Sequence, residues 1–491
     1  LWNPDGLELY YSTFVYEGKT IRNIVRSILK GKIPEVPFFL FTDGMGTDFF
    51  IARKNTLFDP FNLIAAVFPS RYAEYGFYFT SLLRFILVSW SFSAYCFHRG
   101  KESAPTMVGS LVYATSGYAL MQALLRHPKF LNFATWLPLV LMEADKLFEG
   151  NRSWWLAVLI GFAFGYGPVS TYMTCFILLG YCVIKYFFAP RKRSVKDFVL
   201  LVLSFVVRLL LGFGLGSIAS VPEVLHLLSM KRVTNSGKVT PLLFRLDHYK
   251  SFLAYLMGLD QSKQTLYVGF TPVFLMVVFI ICKKKFKSEE RRPWLVGLFT
   301  VIVMMLIPWF GHMFNGFGYV TDRWMPAAFF CFAYIATIAT SSLHELDKTE
   351  QRRVNNVMLV LFLLAAVSSV LSDKWKALYL VLPAFCALLF LRNICYLDRP
   401  RLMRAIACMV MIPAAYWCTV CFGPTGRNYA EEFTPLGKAW SMLASKSEAA
   451  VVAKYGADEQ YRYDTAELNN VTNGAMLVGA HGIEFYGSLS S

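Results

Sequence analysis

FVLLVLSFVVRLLLGFGLGSIASV, residues Phe198–Val221, carries one charge, Arg208, in a run of apolar and small residues. That run is long enough to cross a hydrocarbon core of roughly 30 Å as a helix. Working outward, similar stretches recur at Tyr75–Phe97, Met107–Leu125, Phe130–Met142, Trp154–Tyr166, Val169–Phe187 and Leu266–Cys282. They continue at Trp294–Phe310, Trp324–Thr340, Asn355–Leu371, Ala377–Leu391 and Ala405–Phe422. The third and fourth of the twelve in chain order fall short of the roughly 20 residues a spanning helix needs. A backbone in lipid must satisfy its own hydrogen bonds, so these stretches predict helices rather than open strands. Hydrophobic content of 56%, charged content of 16% and mean hydropathy of +0.45 exclude an ordinary soluble domain. The expectation is an all-α polytopic membrane protein, a bundle of about twelve transmembrane helices.

The loops sort by charge. One set carries Arg99 and Lys101; Lys146 and Arg152; Arg191, Lys192, Arg193 and Lys196; and the run Lys283, Lys284, Lys285, Lys287, Arg291 and Arg292. Lys348, Arg352, Arg353, Arg392, Arg399, Arg401 and Arg404 complete it. Gly167–Pro168 and Gly311–Asp322 in the alternate set have no Lys or Arg. Two alternate loops depart from the pattern, one with Arg126 and Lys129, the other with Lys374 and Lys376. Short cytoplasmic loops hold the Lys/Arg excess, which predicts the basic set inside. Residues 1–74, the loop 222–265 and the tail 423–491 are then extracellular. The net charge of +16 is largely this topology signal, and no single basic soluble surface offers itself to nucleic acid. A chain opening on a polar outer segment predicts an upstream membrane helix or signal. The strand-like runs Tyr461–Asp464, Ala475–Val478 and Ile483–Tyr486 predict the start of an extracellular α/β or β domain that continues past the end.

Most of the ten cysteines lie inside predicted spans, and Cys418-Thr-Val-Cys421 ends an apolar helix without a βαβ context, so packing is the reading for them. The seven histidines show no metal-ligand spacing, and there is no Walker loop, dinucleotide fingerprint or strong internal repeat. A divalent cation is neither demanded nor excluded.

Chemistry concentrates in the first outer loop. Asp5 and Glu8 sit where the chain would leave the membrane. Over Lys19–Lys32, Ile21, Ile24, Val25, Ile28 and Leu29 recur at helical spacing opposite Lys19, Arg22, Arg26 and Lys30, which predicts an amphipathic helix lying among anionic head groups. Asp43-Gly44-Met45-Gly46-Thr47-Asp48 follows, a glycine loop with two carboxylates. Arg84 and Arg208 fall mid-span, and Arg323 immediately precedes the ninth span. A mid-bilayer arginine costs at least ~2.5 kcal/mol and normally pairs within a polar cavity. It can be a structural pair, with Glu143 or Glu223 as partner, or a functional group. An arginine fork suits a lipid-linked phosphate, and a carboxylate in reach can take a proton from an attacking hydroxyl.

The chain resembles the YfhO family of bacterial membrane proteins, relatives of glycosyltransferases of the GT-C fold. Pro4-Asp5-Gly6 with Tyr10-Tyr11, Asp43–Phe49, Asp59-Pro60-Phe61-Asn62-Leu63-Ile64 and Val67-Phe68-Pro69 carry the likeness. So do Gly109–Tyr118 with its Tyr-Ala-x-Ser-Gly core, Leu137–Leu141 with Glu143, Pro222 with Ser229 and Arg232, and Asn315-Gly316-Phe317 leading to Asp322-Arg323-Trp324. Gly165-Tyr166-Gly167-Pro168 departs from it, and most of the family's large outer carboxyl-terminal domain is absent. The resemblance implies a GT-C-like bundle that transfers a sugar at the outer face from a polyprenyl-phosphate donor to a cell-envelope polymer of the lipoteichoic or wall teichoic acid type. It implies Asp5 as base, with Glu8 as substitute, and Arg323 on the donor phosphate. Arg84, Arg232 and Arg208 are further candidates for that phosphate, and Asp43 and Asp48 are acceptor or loop-shaping residues. Membrane lipid and the enzyme that makes the lipid-linked sugar join donor and polymer as implied partners. A lipid-linked sugar transporter and a non-catalytic envelope-assembly scaffold remain alternatives, because fold does not dictate function.

Overall fold

The structure is a computed structural model describing residues 1–2, 5–34, 39–40, 46–48, 59–188, 194–229, 241–372, 374–394, 397–423, 428–444, 454 and 477. A π-helical turn, Asp5–Tyr11, runs directly into α1 (Ser12–Leu29). A two-residue hairpin, β1 (Phe39–Leu40) antiparallel to β2 (Thr47–Asp48), and the short α2 (Pro60–Ile64) complete the first loop. The bundle follows as α3 (Ala73–His98), α4 (Ser103–Ala114), α5 (Leu131–Phe148), α6 (Trp155–Tyr166), α7 (Pro168–Phe187) and α8 (Val195–Ser229). Then come α9 (Leu246–Met257), α10 (Phe270–Ile281), α11 (Ser288–Leu306), α12 (Pro308–Met313), α13 (Met325–Ser341), α14 (Lys348–Ser372), α15 (Lys374–Leu391) and α16 (Arg399–Phe422). The short α17 (Ala439–Leu443) lies in the tail.

All twelve apolar stretches fall on helices. Five helical segments are long and apolar enough to cross a membrane by length and composition: Ser70–His98, Pro168–Phe187, Val195–His226, Lys348–Ser372 and Arg399–Phe422. Two expected spans are broken. Met107–Leu125 splits into α4 and a π-helical turn at Tyr118–Leu124, and Trp294–Phe310 divides between α11 and α12 where Pro308 opens a new helix. The expected amphipathic helix is the second half of α1. Its Val25, Ile28 and Leu29 are exposed, but Arg22 is not a free polar-face residue: it donates to the Phe68 carbonyl at 2.5 Å and to Ser70 Oγ at 2.9 Å, clamping α1 to the loop after α2. Tyr461–Asp464, Ile483–Tyr486 and all of Ala475–Val478 except Leu477 lie outside the described residues.

The opening stretch shows its two faces in α8. Leu210, Leu211, Leu215 and Ile218 are exposed, as side chains meeting lipid would be, while Gly212 and Gly216 lie against α6. A Cβ at Gly216 would stand 2.6 Å from the Gly161 carbonyl oxygen, and one at Gly212 2.8 Å from that of Ala157. Small residues four apart on both helices let the backbones close, which is how apolar helices associate where lipid supplies no hydrophobic drive.

The loops segregate to two ends of the bundle. At one end, basic loops lock together through Lys101 and Glu290 (2.5 Å), Lys285 and Glu350 (3.6 Å), and Arg399 with Glu102. At the other, the start of the chain meets the tail. Trp2 bridges to Phe433, and Glu74 accepts from the backbone N–H of Gly437 (3.0 Å) and Ala439 (3.3 Å). The charge alternation in the sequence thus separates two physical ends.

Candidate functional site

At the end built by the first loop, the π-helical turn sets Asp5 beside His127, with Asp5 Oδ2 3.8 Å from His127 Nδ1. Tyr10, one turn on, shares a hydrogen bond of 2.9 Å with the same nitrogen. His127 is held by aromatic rings, edge-on to Trp2 (centroids 5.2 Å) and tilted over Phe130 (4.9 Å). Three cations surround this core. The Arg126 guanidinium lies 5.3 Å from the Trp2 ring, the Lys129 ammonium 5.9 Å from Tyr10, and the Arg323 guanidinium 5.1 Å from Phe130.

Arg323 reaches the site from a tight turn. Gly316 and Phe317 both adopt left-handed backbone (φ 60° and 61°), and Asn315 Nδ2 donates to the Tyr319 carbonyl at 3.1 Å. Arg323 Nη2 then donates to the Tyr319 hydroxyl at 3.0 Å, while neighbouring Asp322 accepts from Thr265 Oγ1 at 2.6 Å. The Tyr166 hydroxyl, at the end of α6, donates to the Lys129 carbonyl at 2.8 Å and so pins the cationic loop to the bundle. The carboxylates of Asp5, Asp322 and Glu432, the last accepting from Trp2 Nε1 at 2.7 Å, share this corner with the three cations around the imidazole.

Burial lowers the His127 pKa to about 4; nearby Asp5 opposes the shift, and Arg323 and Arg126 reinforce it. The imidazole is therefore uncharged at neutral pH, with its Nδ1 engaged by the Tyr10 hydroxyl. Because the folded pKa lies below the ordinary 6.5, the unfolded chain binds a proton that the folded chain refuses between those values. Stability from this group is present above about pH 6.5 and is lost as pH falls toward about 4. Thermal unfolding from pH 7 to 4 should therefore cost wild type more than His127→Gln; parallel curves would contradict the buried neutral histidine.

The remaining candidates lie elsewhere. Glu8 shares the Asp5 turn, and its backbone carbonyl accepts from Ser12 Oγ. Arg84 is buried and committed: Nη2 donates to Asp59 Oδ2 at 2.7 Å, Nε donates to Asn132 Oδ1 at 3.1 Å, and the guanidinium lies 4.5 Å from the Phe61 ring. Asp59 also caps α2 through the Phe61 N–H at 3.2 Å. The partner of Arg84 is thus Asp59, not Glu143 or Glu223, and this geometry makes it a brace for the first loop rather than a phosphate contact. Arg208 is at the opposite end, donating to the Ser153 carbonyl at 2.7 Å and Ser204 Oγ at 2.6 Å. Ser153 Oγ in turn donates to Glu143 at 2.7 Å, so Arg208 and Glu143 meet through a serine. Asp48 is exposed on β2, opposite Phe39. Asp43 and Arg232 lie outside the described residues. Among the described residues no group of three or more His, Cys, Asp or Glu side chains is arranged to hold a metal ion.

The family model for the bacterial membrane protein YfhO matches residues 25–491. The chain belongs to the YfhO family. It is 24% identical over 302 residues to the uncharacterized protein YfhO of Bacillus subtilis (strain 168), an alignment covering 61% of this chain and 32% of that protein. The chain therefore spans about a third of the length of that relative. No solved structure matches it. YfhO membership together with the apolar helices makes this a bacterial membrane protein with several passes. Within it, the Asp5 and Arg323 sequence motifs meet at His127, which neither motif contains.

Proposed function

We propose that this YfhO protein is a membrane glycosyltransferase that moves a sugar from a polyprenyl-phosphate donor to a cell-envelope polymer of the lipoteichoic or wall teichoic acid type. The observation that carries the reading is the gathering of the Asp5 carboxylate with Arg126, Lys129 and Arg323 around His127 and its aromatic neighbours. In this reading the basic-loop end is cytoplasmic, the Asp5 end faces outside, and the chain makes about twelve crossings. The family's likeness to GT-C enzymes supplies the reaction class.

Asp5 accepts the proton of an acceptor hydroxyl as its oxygen bonds to the donor's anomeric carbon. The bond from that carbon to the phosphate oxygen breaks in the same step, and the polyprenyl phosphate leaves with the electron pair. Negative charge gathers on the phosphate where Arg323, with Arg126 and Lys129 nearby, lowers its energy. One displacement inverts the anomeric centre. Neutral His127 stands beside Asp5, and the Tyr10 hydroxyl holds His127.

Labelled-sugar transfer by the full-length protein in vesicles tests the phosphate grip. Arg323→Ala should lower turnover by roughly 10²–10³-fold, the usual loss for one preorganised charge stabiliser, with partial recovery in Arg323→Lys. Unchanged turnover in the alanine variant would remove Arg323 from the mechanism.

A second reading, a lipid-linked sugar transporter, is favoured by a cavity of about 1300 Å³ that follows α11 from Glu289 to Met304. It requires the sugar to change sides without being consumed.

A further inference from the structure

Arg22 divides α1 into a held half and a free half. In the held half, Gly18 lies so close to the turn after α2 that a Cβ there would stand 2.6 Å from the Ala65 carbonyl oxygen. Past Arg22 the apolar side chains are uncovered: Val25, Ile28 and Leu29 on the helix and Ile33 just beyond it, with Leu29 81% and Ile33 93% accessible. Leu63 and Val67, four apart on the segment that α1 packs against, are exposed as well, Val67 to 77%.

The charge around this apolar patch has one sign. Residues 18–34 carry Lys19, Arg22, Arg26, Lys30 and Lys32, residues 60–73 carry Arg71, and neither stretch contains Asp or Glu. Arg22 is spent on the clamp to Phe68 and Ser70. Among the described residues, the side chains of the other five have no hydrogen-bond or ion-pair partner. Of the acids that flank these stretches, Glu17 is buried, Asp59 holds Arg84 and Glu74 accepts from the tail, while Glu35 lies outside the described residues.

The clamp also sets the level of the patch. Ser70, which Arg22 grips, opens Ser70–His98, a segment long and apolar enough to cross a membrane. The free half of α1 therefore starts where α3 enters the bilayer. A soluble polyanion would answer the five cations but leave Leu29, Ile33 and Val67 in water. A zwitterionic lipid surface would cover those side chains but leave the cations without counter-charge. A lipid surface with anionic head groups meets both demands.

We propose that residues 23–33, with Leu63 and Val67, form a docking surface for anionic lipid head groups of the leaflet that α3 enters at Ser70. Val25, Ile28, Leu29 and Ile33 sink into the interface while Arg26, Lys30 and Lys32 extend to the phosphates. Because the Asp5–Tyr11 turn runs directly into α1, this seat sets the height of Asp5 over the lipid. That consequence for sugar transfer rests on the proposed function; the seat itself does not.

Hydrogen–deuterium exchange of residues 23–33, read by mass spectrometry on the full-length protein in nanodiscs, tests it. Exchange should be roughly 10²-fold slower in mixed phosphatidylcholine–phosphatidylglycerol discs than in phosphatidylcholine discs, at about fivefold for each of Arg26, Lys30 and Lys32. The triple variant Arg26→Gln/Lys30→Gln/Lys32→Gln should lose that difference, and Leu29→Gln/Ile33→Gln should lose about tenfold of it. The replaced side chains are exposed, so both variants should melt as wild type does, which separates loss of the seat from loss of the fold. Equal exchange in the two kinds of disc, or an unchanged difference in either variant, would overturn the proposal. So would soluble teichoic acid that protects the segment in phosphatidylcholine discs as well as phosphatidylglycerol does, since the patch would then be a polymer site.

Discussion

Asp5→Asn should lower sugar transfer by about 10²–10⁴-fold, the range that general base catalysis supplies. The substitution keeps the volume and polarity of a side chain whose Oδ2 lies 3.8 Å from His127 Nδ1, but removes the charge and basicity that take up the acceptor proton. Helix content and melting temperature should stay near wild type, because Asp5 is only partly buried. The check is initial transfer rate at saturating donor in vesicles holding equal amounts of each protein. A variant that transfers at the wild-type rate would take the base away from Asp5 and leave Glu8, on the same turn, as the next residue to replace.

Arg84→Met should destabilise the protein by about 3–5 kcal/mol, the cost of breaking a buried ion pair by removing one partner. Asp59 would keep Asn132 Nδ2 at 3.2 Å and the Phe61 N–H, but its charge would be left without a counter-ion in a fully enclosed position. The paired variant Arg84→Met/Asp59→Asn should recover part of the loss, since no uncompensated charge remains. Thermal unfolding in one detergent at one pH reads both. A single variant as stable as wild type would show that Asp59 is not ionised there, and the brace between α2, α3 and α5 would then owe nothing to charge.

Much of the fold was legible because membrane insertion writes itself in composition. Phe198–Val221 needed only its length and apolarity, and the grouping of Arg99, Lys101, Lys285 and Arg399 at one end follows from loop charge alone. The two broken spans were less legible, since hydropathy does not see the helix break before Tyr118 or the restart at Pro308. The close pairing of α6 with α8 had a signal in Gly212 and Gly216, four apart, whose spacing matters only once Ala157 and Gly161 are known to face them.

The site was half legible. Asp5 and Arg323 are conspicuous by type and by position at a predicted span end. Sequence distance conceals that both approach the loop after Tyr118–Leu124. His127 was missed because a lone histidine carries no pattern. Arg126 and Lys129 did leave a trace: they broke the charge alternation of the loops, and the structure places them against the rings of Trp2 and Tyr10. A cation on the charge-poor side of a membrane protein was the signal to follow. Arg84 shows the reverse case, since its mid-span position looked functional while its partner, Asp59, sat 25 residues upstream in a loop with no visible register.

The most direct test follows the label. Full-length protein in sealed vesicles is supplied with a polyprenyl-phosphate sugar, radiolabelled in the sugar, and a teichoic acid acceptor. A transferase converts lipid-soluble label into polymer-bound label, in wild type and not in Asp5→Asn. Label that crosses the bilayer yet stays on its lipid, equally in both proteins, would contradict the transferase and establish the transporter in its place.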